Sequence, residues 1–237
     1  MKWDVKVYAA GSLRKVLPVM FEKAGLVAEI EFGPSGVLKD RIINGENVDL
    51  FVSANMQHAY SLAGSGLSND PLAFTQNELC LFGRKQVLKS GDALGSMLDS
   101  RYKLGTSTPI DDPGGDYAFA VFDKADAVDR GASDKLRKKA LTLVGGKSSN
   151  IKSGSHSPVY VLFKENLVDM FLGYRTTAKD LLSRIDGLVI VDLPESLKVR
   201  AEYGAVVVNN SVKGQQALNL LMTPQIRETL VEYGFSN

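Results

Sequence analysis

Four segments of the sequence place small hydroxyl residues or glycines where a helix is predicted to begin. A helix start exposes unpaired N–H groups and a partial positive charge, so such segments can bind an anion without a cationic side chain. The four segments are 9–13 (AAGSL), 33–37 (GPSGV), 112–116 (DPGGD) and 154–158 (GSHSP). Their residue types predict the capture of an anion by amides and hydroxyls.

The first two starts carry Ser12 and Ser35, each after a predicted strand. Because the two strands are predicted to be parallel neighbours, both serines should lie at the same edge of one sheet. A serine at a helix start is commonly an N-cap that accepts a first-turn N–H. However, Gly33 and Gly36 allow close approach of the backbone to another group. Because both serines are predicted at one sheet edge, the pattern favours a role in ligand binding over a role as two separate N-caps.

The other two starts leave alternatives open. Pro113 suits an early helix position, and Gly114 and Gly115 leave amides unshielded. The same pattern is typical of a plain loop-to-helix turn with Asp116 in the first turn. Residues 153–158 are equally typical of a capped surface loop.

Apolar periodicity predicts that short strands and amphipathic helices alternate along the chain. Strands are predicted at 6–10, 28–32, 49–53, 79–82, 102–105, 168–174, 188–191 and 205–208. Helices are predicted at 13–21, 37–43, 60–63, 94–98, 117–121 and onward, 135–143, 159–164, 178–185, 215–222 and 226–233. This alternation indicates right-handed parallel βαβ units, and hence an α/β fold.

The pattern restarts at Glu78, which predicts two lobes, each a mostly parallel sheet flanked by helices. Lobe I is predicted at 1–77 and 204–237, and lobe II at 78–203. Two crossover strands, with crossings near 76–78 and 202–205, would form a hinge. A ligand cleft is expected between the lobes, at the carboxyl ends of the parallel strands.

Composition argues against several other classes of function. With 28 Lys plus Arg against 27 Asp plus Glu, the net charge is +1, and we expect no nucleic-acid partner. No apolar run approaches the about 20 residues that span a bilayer. The two histidines lie far apart, and the single Cys80, in an apolar run, reads as a buried structural thiol. We therefore expect no enzymatic activity, no cofactor and no metal-cation site.

The amino terminus has no charged region followed by an apolar one, so no signal peptide is predicted in this chain. Two explanations stay open. Either a leader has been removed, or the protein never leaves the cytoplasm.

Three ordered motifs resemble the molybdate-binding proteins of ABC importers. They are residues 8–13 (YAAGSL), 32–36 (FGPSG) and 43–54 (INGENVDLFVSA), and residues 232–235 (EYGF) are similar to the usual end of that family. The likeness covers essentially the whole chain. It implies a two-lobed type II periplasmic-binding fold that closes on molybdate or tungstate. It also implies a membrane permease as partner and a periplasmic or extracellular location, and we expect a monomer.

The resemblance also implies roles for single residues. Ser12 and Ser35 match two anion-binding serines, Gly114 and His156 match positions that give backbone amides, and the hydroxyl of Tyr174 would reach the oxyanion. The candidate ligand-binding residues are Gly11, Ser12, Ser35, Gly36, Gly114, His156 and Tyr174, with Gly115, Ser157 and Arg175 as further possible contacts.

Three positions depart from the family pattern. Gly11 and Gly114 replace alanines, and Arg175 stands where the family more often has a small residue. An arginine that points into the pocket would suit a carboxylate or phosphate, while a solvent-facing arginine would have no such role. Two interpretations of His156 also stay open: it is either a solvated loop residue or a neighbour of the ligand. The alternatives to molybdate are thus sulfate, an organic anion anchored by Arg175, or a ligand-sensing regulatory domain, although no DNA-binding segment accompanies it.

Overall fold

The computed structural model describes residues 5–147, 149, 151 and 157–236. It divides into two compact units. Unit 1 contains the described residues up to Asn77 together with those from Ala201 onward, and unit 2 extends from Glu78 to Arg200. The predicted crossings lie within a few residues of these two points.

The bounds of the elements are as follows. The strands are β1 (Val5–Ala10), β2 (Ala28–Gly33), β3 (Leu50–Ser53), β4 (Leu72–Arg84), β5 (Leu104–Ser107), β6 (Leu141–Val144), β7 (Met170–Tyr174), β8 (Leu188–Val191) and β9 (Arg200–Val207). The helices are α1 (Val16–Lys23), α2 (Ser35–Ile43), α3 (Met56–Gly64), α4 (Ala93–Leu98), α5 (Pro113–Ala125), α6 (Ala132–Lys139), α7 (Pro158–Lys164), α8 (Arg175–Leu182), α9 (Val212–Leu221) and α10 (Pro224–Glu232). Two short 3-10 turns cover Gly11–Leu13 and Glu195–Leu197.

Unit 1 is built on a sheet with the strand order β2-β1-β3-β9. Strand β1 is parallel to β2 and β3, and β9 is antiparallel to β3. Strand β1 is buried along almost its whole length, as expected for a parallel strand covered on both faces. Tyr8, Leu38, Phe51 and Val206 belong to one hydrophobic core cluster of this unit.

Helix α9 packs unusually close to the segment that precedes β3. A Cβ atom on Gly214 would collide with the carbonyl oxygen of Asp49, so only glycine fits there. Ser211 fixes the start of this helix, because its Oγ accepts from the N–H of Gly214 at 3.1 Å and donates to Asp49 Oδ1 at 2.5 Å. Ser211 is therefore a true N-cap of unit 1.

Unit 2 has the strand order β8-β4-β7-β5-β6. Strand β4 is antiparallel to β7 and β8, while β5 is parallel to β6 and β7. The core of this unit contains three phenylalanines, since the ring of Phe82 lies 5.9 Å from that of Phe163 and 5.6 Å from that of Phe171. The α/β class is confirmed, but the sheet of unit 2 is mixed rather than mostly parallel, because β4 is antiparallel to both of its neighbours in this unit.

The predicted helix over 135–143 is wrong in its second half. Helix α6 ends at Lys139, Ala140 is extended, and Leu141–Val144 is a strand that pairs with β5 in parallel. Pairing with an open sheet edge outweighs helical spacing in so short an apolar run. The first predicted helix also begins later, because Ser12 lies in a 3-10 turn and α1 starts at Val16.

Within the described part of the chain, no helix combines the length and the apolar character needed to cross a membrane.

We expect Phe82→Ala to lower the free energy of unfolding by about 3–5 kcal/mol, because it leaves a cavity between the rings of Phe163 and Phe171. Urea denaturation followed by circular dichroism measures the change. Tyr60→Ala is the control, since 59% of Tyr60 is exposed, and it should stay within about 0.5 kcal/mol of the parent. Equal losses in the two variants would contradict the assignment of this core.

Candidate functional site

Ser12 and Ser35 lie at the same edge of the unit 1 sheet. Strands β1 and β2 run in parallel, and their last residues, Ala10 and Gly33, are register partners. Gly11 lies next to the end of β2, since a Cβ atom there would be 3.9 Å from the carbonyl oxygen of Gly33, an ordinary van der Waals distance. The first two predicted helix starts are thus brought together.

Neither of these serines caps its own helix. The N-cap residues of the Gly11–Leu13 turn and of α2 are Ala10 and Pro34, and no side chain caps either start. Ser35 and Gly36 are instead the first two residues of α2, and both are buried. Their N–H groups belong to the first turn, where the helix itself offers no acceptor.

The Ser35 hydroxyl accepts a hydrogen bond from the protein. The N–H of Ala54, just after β3, donates to Ser35 Oγ at 3.0 Å, and only 1% of Ser35 is exposed. A serine hydroxyl has a single proton to donate. With a protein donor on its oxygen, Ser35 keeps that proton for another acceptor.

The Ser12 hydroxyl is held by a tyrosine that the sequence analysis did not single out. Ser12 Oγ lies 2.8 Å from the hydroxyl oxygen of Tyr203, and Asn77 Nδ2 donates to that same oxygen at 3.4 Å. Tyr203 is fully buried, with its ring edge-on against Phe235. Either hydroxyl can be the donor in this pair. When Tyr203 donates, the Ser12 proton is left for a further acceptor, as at Ser35.

No sequence signal could have found Tyr203 or Asn77. Tyr203 stands 191 positions from Ser12 and outside every motif that carried the resemblance. Ala54, by contrast, closes the motif at 43–54, although that motif does not reveal the role of its N–H.

In unit 2, the predicted start at α5 is capped by Asp112. The N–H of Gly114 donates to Asp112 Oδ1 at 3.0 Å, and the N–H of Gly115 donates to the Asp112 carbonyl oxygen at 2.8 Å. The sequence left open whether this start binds an anion or is a plain loop-to-helix turn, and the structure shows a turn that is capped by the chain itself. The Gly114 amide that the resemblance assigned to a ligand is bonded to a carboxylate of the chain itself.

The Asp112 carboxyl has lost much of its hydration. Desolvation raises the pKa of this group to about 6, while hydrogen bonds from Gly114 and Ser107 act in the opposite direction. The carboxylates of Asp111 and Asp116 raise this pKa further. The residue as a whole keeps intermediate solvent exposure, while its carboxyl group is desolvated.

Tyr174 ends β7 and lies close to the same helix start. It is 8% exposed, and its ring stands edge-on to that of Tyr117 at 6.5 Å. A Cβ atom on Gly114 would lie 3.2 Å from Ser107 Oγ, 3.3 Å from the Tyr174 ring and 3.4 Å from Asp112 Oδ1. Ser107, the Tyr174 ring and Asp112 therefore crowd this side of Gly114 and leave little room for a side chain.

Arg175 is engaged by carboxylates. It forms an ion pair with Asp192, and its Nε lies 3.7 Å from Glu78 Oε2. These three side chains, with Lys198 and Arg200, line a pocket of about 240 Å³ in unit 2. The side chain is 26% exposed, so neither the fully solvent-facing arginine nor a free anion anchor describes it.

The remaining candidates separate into three cases. Ser157 is the N-cap of α7, since its Oγ accepts from the N–H of Tyr160 at 3.2 Å, which is the capping alternative. His156 lies outside the described residues. Cys80 is buried, as predicted, and burial raises the pKa of its thiol to about 12, which makes it a poor nucleophile.

Comparisons with known proteins bear on the whole chain. A family described as "Bacterial extracellular solute-binding protein" matches residues 5–236. The chain is similar to the uncharacterized protein PM1146 of Pasteurella multocida (strain Pm70), with 37% identity over 206 residues that cover 84% of this chain and 85% of that protein.

Two solved structures share the fold. One is the periplasmic molybdate-binding protein of Azotobacter vinelandii, with 14% identity, a TM-score of 0.78 and coverage of 98% of this chain and 99% of that chain. The other is the sulfate-binding protein SubI of Mycobacterium tuberculosis H37Rv, with 14% identity, a TM-score of 0.77 and coverage of 98% and 85%. Such identities show the fold alone, which is that of type II periplasmic binding proteins.

We expect the Asp112 carboxyl to make stability depend on pH. Its pKa of about 6 exceeds the ordinary 3.8, so between these values the folded state holds a proton that the unfolded state has lost. The free energy of unfolding should therefore decrease as pH rises from about 4 to about 6. Asp112→Asn removes this loss and keeps an acceptor for the Gly114 N–H. It should be more stable than the parent at pH 7, by as much as about 3 kcal/mol.

Urea denaturation at pH 4, 5, 6 and 7 measures this difference, which should shrink toward pH 4. Asp129→Asn is the matched control, because it removes an exposed carboxylate elsewhere in unit 2. If the profiles of parent and Asp112→Asn run parallel, the carboxyl is not desolvated as described.

Proposed function

Because this chain belongs to the family of bacterial extracellular solute-binding proteins, we propose that it captures a small tetrahedral oxyanion for the membrane permease of an ABC importer. The observation that supports an oxyanion ligand is the direction of the hydrogen bonds at the hydroxyl groups of Ser12 and Ser35. The N–H of Ala54 donates into the Ser35 oxygen, and Tyr203 is placed to donate into that of Ser12, so both serines can offer a proton to an acceptor that is not part of the sheet edge. An oxyanion supplies such acceptors.

The neutral groups around these serines fit an anion with two negative charges. The uncapped first-turn amides of Ser35 and Gly36, and those of the turn at Gly11, add donors and the positive end of the helix dipole. Preorganised dipoles of this kind stabilise charge without a cation. In unit 2 we assign the Tyr174 hydroxyl to the same ligand on the strength of the resemblance, and likewise His156.

Molybdate and tungstate are the ligands that the resemblance implies, and sulfate has the same shape and charge. We propose that pocket size separates molybdate from sulfate. An organic anion anchored by Arg175 is the less favoured alternative, because Arg175 would first have to leave Asp192 and Glu78. Breaking such pairs would cost part of the binding free energy.

The physiological setting follows from the family. We propose that the protein acts as a monomer in the periplasm or at the cell surface. Binding would close the two lobes by a hinge motion, and the permease would recognise the closed form.

We expect molybdate at 100 times its Kd to stabilise the parent by about 2.7 kcal/mol, which raises Tm by about 5–10 °C. Ser12→Ala with Ser35→Ala should abolish this shift, because both hydroxyl donors are lost. Differential scanning fluorimetry with molybdate, tungstate, sulfate and citrate measures it. If citrate raised Tm and none of the three oxyanions did, the proposal of a tetrahedral oxyanion ligand would be contradicted.

Two further variants make this test specific. Ser211→Ala removes a serine of unit 1 that caps α9, so it should lower Tm and leave the molybdate-induced shift unchanged. Ser12→Ala alone should weaken binding and removes one partner of the buried Tyr203 hydroxyl, while Ser35→Ala removes the acceptor of the Ala54 N–H, so each single variant should also lose some stability. Parent-like binding by the folded double variant would mean that the serines have no role in capture.

We also expect Tyr203→Phe to weaken anion binding by about fivefold, since a net hydrogen bond is worth about 1 kcal/mol. The phenyl ring keeps the contact with Phe235, but nothing then directs the Ser12 proton outward. Isothermal titration calorimetry with molybdate measures the change. Tyr60→Phe, at an exposed position, is the control, and equal affinities for Tyr203→Phe and the parent would refute the orienting role.

A further inference from the structure

We propose that Phe235 and Ser236, near the carboxyl end of the chain, are positioning residues of the anion site. They support Tyr203 and Asn77, and Tyr203 in turn holds the hydroxyl group of Ser12. Neither residue touches the ligand in this proposal, so both act on its affinity through Ser12. The inference rests on the proposed function, since it concerns a hydroxyl that the site offers to an oxyanion.

The end of helix α10 turns Phe235 into the core of unit 1. Gly234 has a φ of 89°, a left-handed conformation that glycine adopts without strain. The N–H of Gly234 donates to the carbonyl oxygen of Val231 at 2.9 Å, and the N–H of Phe235 donates to that of Leu230 at 3.0 Å. This pair of bonds is the Schellman motif, which reverses the chain at a helix end. Phe235 is therefore directed inward, and only 5% of it is exposed.

The ring of Phe235 packs edge-on against the ring of Tyr203. The two centroids lie 5.7 Å apart, and the ring planes meet at 90°. Aromatic pairs in this geometry gain an attraction that depends on ring orientation, beyond the burial of apolar surface. The contact therefore restrains the direction of the phenol, whose hydroxyl oxygen lies 2.8 Å from Ser12 Oγ.

Ser236 ties down the strand from which Asn77 reaches the same hydroxyl. It forms an antiparallel bridge with Gln76, in which each N–H donates to the other carbonyl oxygen, at 2.9 and 2.8 Å. Thr75 Oγ1 also donates to the Ser236 carbonyl oxygen, at 2.7 Å. The next residue, Asn77, is 1% exposed and donates to the Tyr203 hydroxyl oxygen at 3.4 Å. The tail thus supports both the ring of Tyr203 and a donor to its hydroxyl group.

These contacts bear on affinity because binding groups that are already in place lose less entropy when a ligand arrives. A small rotation of the Tyr203 ring would lengthen its bond to Ser12 and weaken it. Loss of the tail contacts therefore weakens anion binding while every binding group is still present. A purely structural tail would instead lower Tm and leave the Kd of the folded protein unchanged.

The first experiment measures the Kd of molybdate by isothermal titration calorimetry, well below Tm. Phe235→Leu keeps an apolar side chain in the core but removes the ring edge, so the Kd should rise about two- to fivefold. Ile226→Val is the control, because Ile226 is a buried residue earlier in the same helix. It should lower Tm and leave the Kd unchanged. A parental Kd in folded Phe235→Leu overturns the inference.

Thr75→Val and Thr75→Ser form a matched pair for the contact with Ser236. Valine keeps the shape of threonine and removes the donor, whereas serine keeps the donor. The Kd should rise in Thr75→Val, by up to about fivefold, and match that of the parent in Thr75→Ser. Equal values of Kd in these two variants contradict the role of Ser236.

The combination of Phe235→Leu with Ser12→Ala separates positioning from a general loss of structure. If the tail acts through Ser12, Phe235→Leu no longer changes the Kd once Ser12→Ala is present, and the two effects are not additive. The same fold-change in both backgrounds overturns the inference, because the tail would then act on binding by another route.

A second measurement needs no ligand. Ser12→Cys places a thiol at a position of intermediate exposure, while burial raises the pKa of the Cys80 thiol to about 12, so iodoacetamide should modify the introduced thiol selectively. A hydrogen bond from Tyr203 stabilises the thiolate and lowers its pKa. Addition of Tyr203→Phe should raise the pH midpoint of alkylation by about 0.5–1 pH unit, and addition of Phe235→Leu should raise it as well. Mass spectrometry follows the reaction.

The two measurements distinguish failure of this inference from failure of the proposed function. If the parent binds molybdate but Phe235→Leu leaves both the Kd and the alkylation midpoint unchanged, oxyanion capture stands and the role of the tail is overturned. If the parent binds none of molybdate, tungstate and sulfate, the proposed function fails. The tail then has no anion site to position, and the alkylation midpoints alone decide whether it holds Tyr203 against position 12.

Discussion

The single proton of a hydroxyl group is the constraint on which the candidate site depends. A serine that accepts from the protein must donate elsewhere, and unit 1 holds Ser35 in this state and gives Ser12 a tyrosine hydroxyl that can do the same. The parallel pairing of β1 with β2 sets the two serines at one sheet edge, and the partners of both hydroxyls come from residues far away in the chain. The fold of unit 1 thus fixes the positions of two hydroxyl groups and the direction of the Ser35 donor. Donors that are already oriented lose little entropy when a ligand arrives.

Unit 2 uses the same local element in the opposite way. Helix α5 also begins after a parallel strand, yet its first-turn amides are bonded to Asp112. One unit therefore presents donors from uncapped starts, whereas the other presents a desolvated acceptor at a capped one. A helix start attracts negative charge in both cases, and the chain supplies that charge itself in unit 2. The prediction that the helix starts of both units offer free amides therefore does not hold for α5.

The sequence predicted most elements because strand and helix alternate with clear periods, as at β1, α2 and β3. It failed at Leu141–Val144, where four residues follow a helix and only pairing with β5 decides their conformation. Ser12 and Ser35 could be found because each stands at a strand-to-helix junction. Tyr203 could not, since its link to Ser12 exists only after β9 has joined the sheet. The pairing of Arg175 with Asp192 and Glu78 is likewise a tertiary contact that no local pattern encodes.

Two glycines, Gly114 and Gly145, lie close to the Asp112 carboxyl group. A side chain at 114 would press on Ser107 Oγ, the Tyr174 ring and Asp112 Oδ1, at distances tighter than or close to van der Waals contact. Glycine removes that pressure, and Gly145 does the same on the other side, where a Cβ atom would collide with Asp112 Oδ2. Both glycines therefore make room for neighbouring side chains rather than for flexibility. An alanine at 114 would be crowded mainly by Ser107 Oγ and the Tyr174 ring, whereas a side chain at 145 would collide with the Asp112 carboxyl group itself, so it is Gly145 that the position of this carboxyl requires.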